Sequence, residues 1–201
     1  MVQQQIDRFF RTLARELNRP ARVILTGAAA GSLWGSLRLS QDLDFAIQLV
    51  PNRREGWQDL EAAVTRTIHL TSIPANYAED IDRWSSVTFL DYRRHTLPYR
   101  RYGQLDVRLI DPAYWTIGKI ARLWSSDVED LVAVLRGRRL DVRRLLRLWA
   151  TAIRRSPRSP ELTRCRQQVE SFLRSSGNQI WGPRFDPAQA IAEFHRHLAP
   201  K

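Results

Sequence analysis

The 201-residue chain is 43% apolar and carries seven Trp, enough for an ordinary core in one domain or in a domain with a helical appendage. Its single cysteine, Cys165, excludes an internal disulfide, and no stretch approaches the roughly 18 apolar residues of a membrane span, so the expected compartment is the cytoplasm and no membrane partner is expected. The net charge of +11 is uneven: residues 1–90 hold ten Arg and ten acids, whereas residues 91–201 hold 22 Arg or Lys against eleven acids, so the second half is where a polyanion would be drawn.

In chain order, Ile6, Phe9, Phe10, Leu13 and Leu17 recur at helical spacing and predict a helix over 3–17, ended by Asn18-Arg19-Pro20. "RVILTG" reads as a short strand running into Gly27, where a helix of small residues opens. "DLDFAIQLV" alternates Asp42 and Asp44 with Leu43, Phe45, Ile47 and Leu49, the pattern of a half-buried strand. A helix over 55–70 and a short one around 77–84 follow. Strands are then expected at "SVTFLDY", "TLPYRRY" and "QLDVRLI", and helices over 113–124, 126–136, 138–155, 160–175 and 187–198, with loops at 156–160 and 175–183.

Asp42 and Asp44 raise a chemical question. Two residues apart on a strand they share a face, with β-carbons about 7 Å apart, and mutual repulsion makes the pair costly without a cation. Hard divalent ions such as Mg²⁺ prefer such oxygen ligands; a solvated face at a sheet edge is the plain alternative. The strand-to-helix turn at Gly27 adds free backbone N–H groups and a positive helix end, and Ala28, Ala29 and Ala30 leave room for a phosphate. Arg38 is suited to a bidentate phosphate contact, while Ser40 suits either the site or a simple turn.

The order glycine turn, helix, Gly-x-x-Arg-x-Ser, Asp-x-Asp resembles the nucleotidyltransferase superfamily whose best-known member is DNA polymerase beta. The likeness is to its bacterial branch of abortive-infection toxins and small uncharacterised nucleotidyltransferases, with the form G-G-x-A-x-x-L-x-G-x-x-R-x-T-x-D-hydrophobic-D. Gly27, Ala30, Leu33, Gly35, Arg38, Asp42 and Asp44 agree with that form, and Ser40 stands in place of Thr. A weaker likeness continues through "LDVRLIDP" and "IGKIARLWSSDVEDLVAVL", so that residues 22–136 are covered.

The resemblance implies an α+β fold: a small mixed β-sheet nucleotidyltransferase core with flanking helices over 1–112, followed by an all-helical basic region over 113–201. It implies an enzyme that uses Mg²⁺ (or Mn²⁺) and transfers a nucleoside monophosphate from an NTP to an RNA, such as a tRNA, or to a protein side chain, as a toxin whose partner is an antitoxin protein. Asp42, Asp44 and a third carboxylate would hold the metal and act in catalysis. Asp106 fits the third place because it alternates with buried Leu105, Val107 and Leu109; Asp91, at a turn, is the other candidate. Gly27, Ala28, Ser32, Arg38 and Lys119 would bind the nucleotide phosphates. The chain departs from the family at Ala28, where Gly or Ser is usual, which leaves open a catalytically silent module that binds RNA or a partner protein.

Other residues carry two readings each. Lys119 suits either a nucleotide phosphate or a salt bridge to Asp127 or Asp130, and Asp127, Glu129 and Asp130 suit the first turn of a helix opened by Ser125-Ser126. In the helix from 138, Trp149 falls on the apolar side, while Arg143, Arg144, Arg147, Arg154 and Arg155 fall opposite, a solvated face or a place for RNA. Arg93, Arg94, Arg100 and Arg101, interleaved with Tyr92, Tyr99 and Tyr102, suit single-stranded nucleic acid or ordinary cross-strand pairing.

Overall fold

A computed structural model describes residues 2–51 and 56–199, and among them the chain forms eight α-helices and one five-stranded mixed sheet. It is an α+β protein in which no helix of the described residues is long and apolar enough to cross a membrane. The chain divides into two compact units: Met1–Leu33, Arg38–Ile81 and Arg93–Asp111 form the first, and Trp34–Leu37, Asp82–Tyr92 and Pro112–Lys201 the second.

The first unit holds the sheet, made of β1 (Ala21–Thr26), β2 (Leu43–Leu49), β3 (Ala75–Ala78), β4 (Thr96–Tyr102) and β5 (Leu105–Ile110) in the order β3-β2-β1-β5-β4. β1 is antiparallel to β2 and parallel to β5; β2 is parallel to β3, and β4 antiparallel to β5. Helix α1 (Gln3–Leu17) buries Ile6, Phe9, Phe10, Leu13 and Leu17, and Asn18 ends it in the left-handed conformation at φ 44°. Each such apolar side chain contributes about 1.5–3 kcal/mol on burial. Phe9 and Phe10 meet Phe45 of β2 edge-on, with ring centroids 6.0 and 5.5 Å apart, which seats α1 against the sheet. Helix α3 (Trp57–Thr71) packs alongside α1. The short α2 (Gly27–Trp34) follows β1 directly.

The second unit is built of α4 (Pro112–Arg122), α5 (Ser125–Arg138), α6 (Val142–Arg155), α7 (Pro160–Trp181) and α8 (Pro187–Leu198). Trp149 is core, as its helical spacing indicates: it is buried, stands edge-on to Phe172 at 6.3 Å and donates its indole N–H to Thr116 Oγ1 at 2.8 Å. Beside it lies a buried charge cluster. The Lys119 ammonium donates to Asp127 Oδ1 (2.9 Å) and Asp130 Oδ2 (2.7 Å), Arg122 grips Asp127 through two nitrogens at 2.9 Å, and the Ser36 hydroxyl donates to Asp130.

Three local expectations fail for tertiary reasons. "SVTFLDY" pairs with no strand: its apolar residues turn inward, Phe89 packing against Gly118, while the Asp82 carboxylate accepts from the Phe89 N–H (2.6 Å) and the Thr88 hydroxyl (3.1 Å). The helix expected around 77–84 is only a turn of 3₁₀ helix over Ile81–Trp84, because Ala75–Ala78 is drawn into the sheet and Tyr77 stacks on Phe45 at 6.0 Å. The loop expected at 175–183 is helical to Trp181; a Cβ on Gly177 would stand 2.1 Å from the Phe185 ring, so this glycine serves close packing rather than a break.

The charge cluster makes two predictions. Lys119→Met leaves two buried carboxylates facing each other and should lower stability by about 3–5 kcal/mol in urea unfolding. Burial pushes the Asp127 carboxyl up, but the hydrogen bonds from Arg122 and Lys119 outweigh it and hold the group below its ordinary 3.8. A depressed folded value contributes stability that is complete above 3.8 and is lost as pH falls below it. The urea midpoint should therefore drop between pH 5 and about pH 3, and less steeply in Asp127→Asn; equal slopes in the two proteins would contradict this.

Candidate functional site

The sheet brings Gly27, Asp42 and Asp44 together. β1 ends at Thr26, whose antiparallel partner is Asp44, and Asp42 lies just before β2 begins. Gly27 takes φ +64°, and a Cβ there would stand 2.0 Å from Asp44 Oδ2, so only glycine lets this carboxylate lie against the opening of α2. Across the other edge of β2, Asn76 is the parallel partner of Asp44. Its side-chain nitrogen donates to Asp42 Oδ2 at 2.9 Å and to Asp44 Oδ1 at 3.0 Å, holding the two carboxylates on one donor. The buried Ser40 hydroxyl donates to the Asp42 carbonyl at 2.6 Å and fixes the turn that delivers Asp42.

The phosphate candidates fall into three groups. Ala28 is half-buried at the second position of α2, and Arg38 is half-buried in the segment between α2 and β2. Ser32 gives its hydroxyl proton to the Ala29 carbonyl one turn back, at 2.7 Å, in place of an outside acceptor. Lys119 lies in the helical unit with its ammonium 3% exposed and engaged by Asp127 and Asp130. Of the two readings of Lys119, the ion pair is the one present in the structure. The N-cap of α5 is Trp124 rather than a serine, and Asp127 accepts from the Trp124 N–H at 3.3 Å.

Asp106 is on the predicted face but not at the predicted place. Its partner on β1 is Arg22, four residues from Thr26, which sets it roughly 13 Å along the sheet from the Asp44 row at ~3.3 Å per residue. There Asp106 Oδ2 accepts from Arg22 Nε at 3.1 Å, with Arg108 3.9 Å away. Asp91 is exposed in a loop of the helical unit. Among the described residues no three His, Cys, Asp or Glu converge to hold a metal ion. In donor type the pair suits a hard divalent cation: oxygens of both carboxylates converge within hydrogen-bond reach of one nitrogen.

Of the tyrosine and arginine mixture, Tyr99, Arg100 and Tyr102 of β4 are engaged by Asp7. Tyr92 and Tyr102 are buried, and the hydroxyls of Tyr99 and Tyr102 both donate to Asp7 Oδ1 at 2.6 Å, with Arg100 on the other oxygen. Burial and the Asp7 carboxylate push both phenols up. Tyr99 and Tyr102 thereby tie α1 to β4 through Asp7. Asn76 and Asp7 escaped sequence reading; "PANYAED" gives no sign that its Asn meets two carboxylates 32 and 34 residues earlier.

Compared with known proteins, the chain matches no family model, no curated protein and no solved structure.

The Gly27 contact is testable against Gly103, whose φ is similar at +55° but whose Cβ would meet nothing within 4 Å. Gly103→Ala should cost about 1 kcal/mol from backbone strain alone. Gly27→Ala adds displacement of the Asp44 carboxylate and should cost about 2–4 kcal/mol in thermal unfolding. Equal losses would mean that Asp44 does not rest against the turn.

Proposed function

We propose that this protein is a divalent-cation-dependent nucleotidyltransferase, acting on an NTP and an RNA acceptor. The observation that carries the reading is the Asp42–Asp44 pair, converged on the Asn76 amide and laid against the positive-φ glycine that opens α2. In this reading Asp42 and Asp44 hold a Mg²⁺ or Mn²⁺ ion, which would neutralise phosphate charge. The first N–H groups of α2, beside Gly27 and Ala28, donate to phosphate oxygens, and Arg38 reaches those oxygens from the adjoining segment. An acceptor hydroxyl oxygen bonds to the α-phosphorus as the bond to the β-phosphate oxygen breaks; pyrophosphate leaves, and the hydroxyl proton passes to a carboxylate oxygen of the pair.

A second reading is favoured by the engagement of Asp106 with Arg22 and by Ala28: a silent relative that binds the NTP, an RNA or an antitoxin protein without transfer. One experiment separates the two. The protein is incubated with each α-labelled NTP, Mg²⁺ and total tRNA, beside an Asp42→Ala, Asp44→Ala variant. Label on RNA that is lost at least a hundredfold in the variant supports transfer. Unlabelled RNA with Mg²⁺-dependent NTP binding intact supports the silent module, and equal labelling by the variant overturns the site.

A further inference from the structure

Helix α6 presents two different surfaces. Leu145, Leu146, Trp149, Ala150, Ala152 and Ile153 are buried, and α8 packs along the helix. Arg143, Arg144, Arg147, Arg154 and Arg155 are exposed. At 100° per residue these five fall within a sector of about 120°, in two stripes: Arg143, Arg147 and Arg154 on one side of Thr151, Arg144 and Arg155 on the other. From Arg143 to Arg154 the face runs roughly 16 Å along the axis. Among the described residues, Arg143, Arg147, Arg154 and Arg155 enter no ion pair, although Asp141 stands at the start of the helix, where its carboxylate accepts from the backbone N–H groups of Arg143 and Arg144 at 3.2 and 3.3 Å.

We infer that this face binds base-paired RNA through its phosphates. Single strands are held by bases stacked on exposed aromatic rings, and this face offers none: Trp149, its one aromatic residue, is 1% exposed and points into the core. Guanidinium groups without aromatic company contact backbone, not base planes. Duplex DNA carries phosphates of the same charge, so the choice of RNA follows from the acceptor proposed above, and the choice of a paired strand from the lack of exposed rings on this face. The inference gives the RNA acceptor proposed above its structural class and rests on that reading for its place in the reaction, but binding alone tests it.

The test is fluorescence anisotropy of the full chain, without NTP or Mg²⁺, on a 20-base-pair RNA duplex, its separated strand and the equivalent DNA duplex. The duplex RNA should bind at least tenfold tighter than its separated strand, and the DNA duplex, with phosphates of the same charge, should bind no tighter than the RNA. Arg143→Gln, Arg147→Gln and Arg154→Gln combined should weaken it by tenfold or more. Each lost contact should flatten the slope of log K against log salt by about 0.9, a value set for duplex DNA. The Asp42→Ala, Asp44→Ala protein should bind RNA as the wild type does, so loss of transfer there and loss of binding here are separate results. An unchanged unfolding midpoint shows that the triple variant is folded, and the matching triple Lys variant should restore most of the binding. Tighter binding of single strands, of duplex DNA or of a polyglutamate peptide overturns the inference, as does triple-Gln binding within twofold of wild type.

Discussion

The Asp44 carboxylate can approach the Gly27 backbone, 2.0 Å from where a Cβ would stand, because β1 and β2 pair in one register that sets Asp44 opposite Thr26. A slip of one residue would turn Asp44 into the layer occupied by Phe9, Phe10 and Phe45 and bring Leu43 or Phe45 to the open face. Burying an unpaired carboxylate there costs several kcal/mol, so the same aromatic cluster that seats α1 also locks the aspartates outward. The site is thus held by the core behind it. The parallel pairing of β3 adds Asn76 only because that register is already fixed.

The Asp127–Asp130 and Asp42–Asp44 pairs have surroundings that give them opposite characters. Asp127 and Asp130 are buried and share the Lys119 ammonium, with Arg122 adding a second positive charge. Their cation is supplied by the chain, and the depressed value of Asp127 follows from it. Asp42 and Asp44 are only half-buried, and the donor they share is an uncharged amide. An amide hydrogen bond offsets part of the repulsion between two carboxylates but leaves the net charge in place.

What the sequence made legible follows from the range of the interactions. The α1 stripe, the β1-to-α2 turn and the five C-terminal helices rest on periodicity within a few residues, and they are present, with α7 running six residues past its expected end. Period-two alternation sets Asp106 opposite Leu105, Val107 and Leu109, which are buried, and the strand pairing puts it on the same face as Asp44, since Arg22 and Thr26 are an even number of residues apart. Alternation gives a face and no position along it. That position depends on how β5 slides against β1, which is decided by packing between residues more than eighty apart. Lys119 was ambiguous for the same reason: a lone lysine looks alike in sequence whether its ammonium meets a phosphate or a buried carboxylate. "SVTFLDY" has strand composition, yet Gly118 opens a slot for Phe89 that is deeper than any sheet face offers it.

The arginines of α6 differ in how they suit the fold: Arg154 and Arg155 stand in the last turn, where the helix dipole favours cations, whereas those at its start do not. Arg143 and Arg147 are like charges one turn apart, which costs about 0.2–0.5 kcal/mol. Arg143 and Arg144 also stand in the first turn, at the positive end of the helix dipole, where cations are disfavoured. The Asp141 cap answers the backbone N–H groups of that turn. Stability is supplied by the opposite side, where Leu145, Leu146, Trp149 and Ile153 are sealed from water. A helix fixed by its apolar side is free to carry arginines on the other, and where Arg143 and Arg147 stand one turn apart a bound phosphate would remove the repulsion between them, so that affinity and salt dependence there would have the same origin.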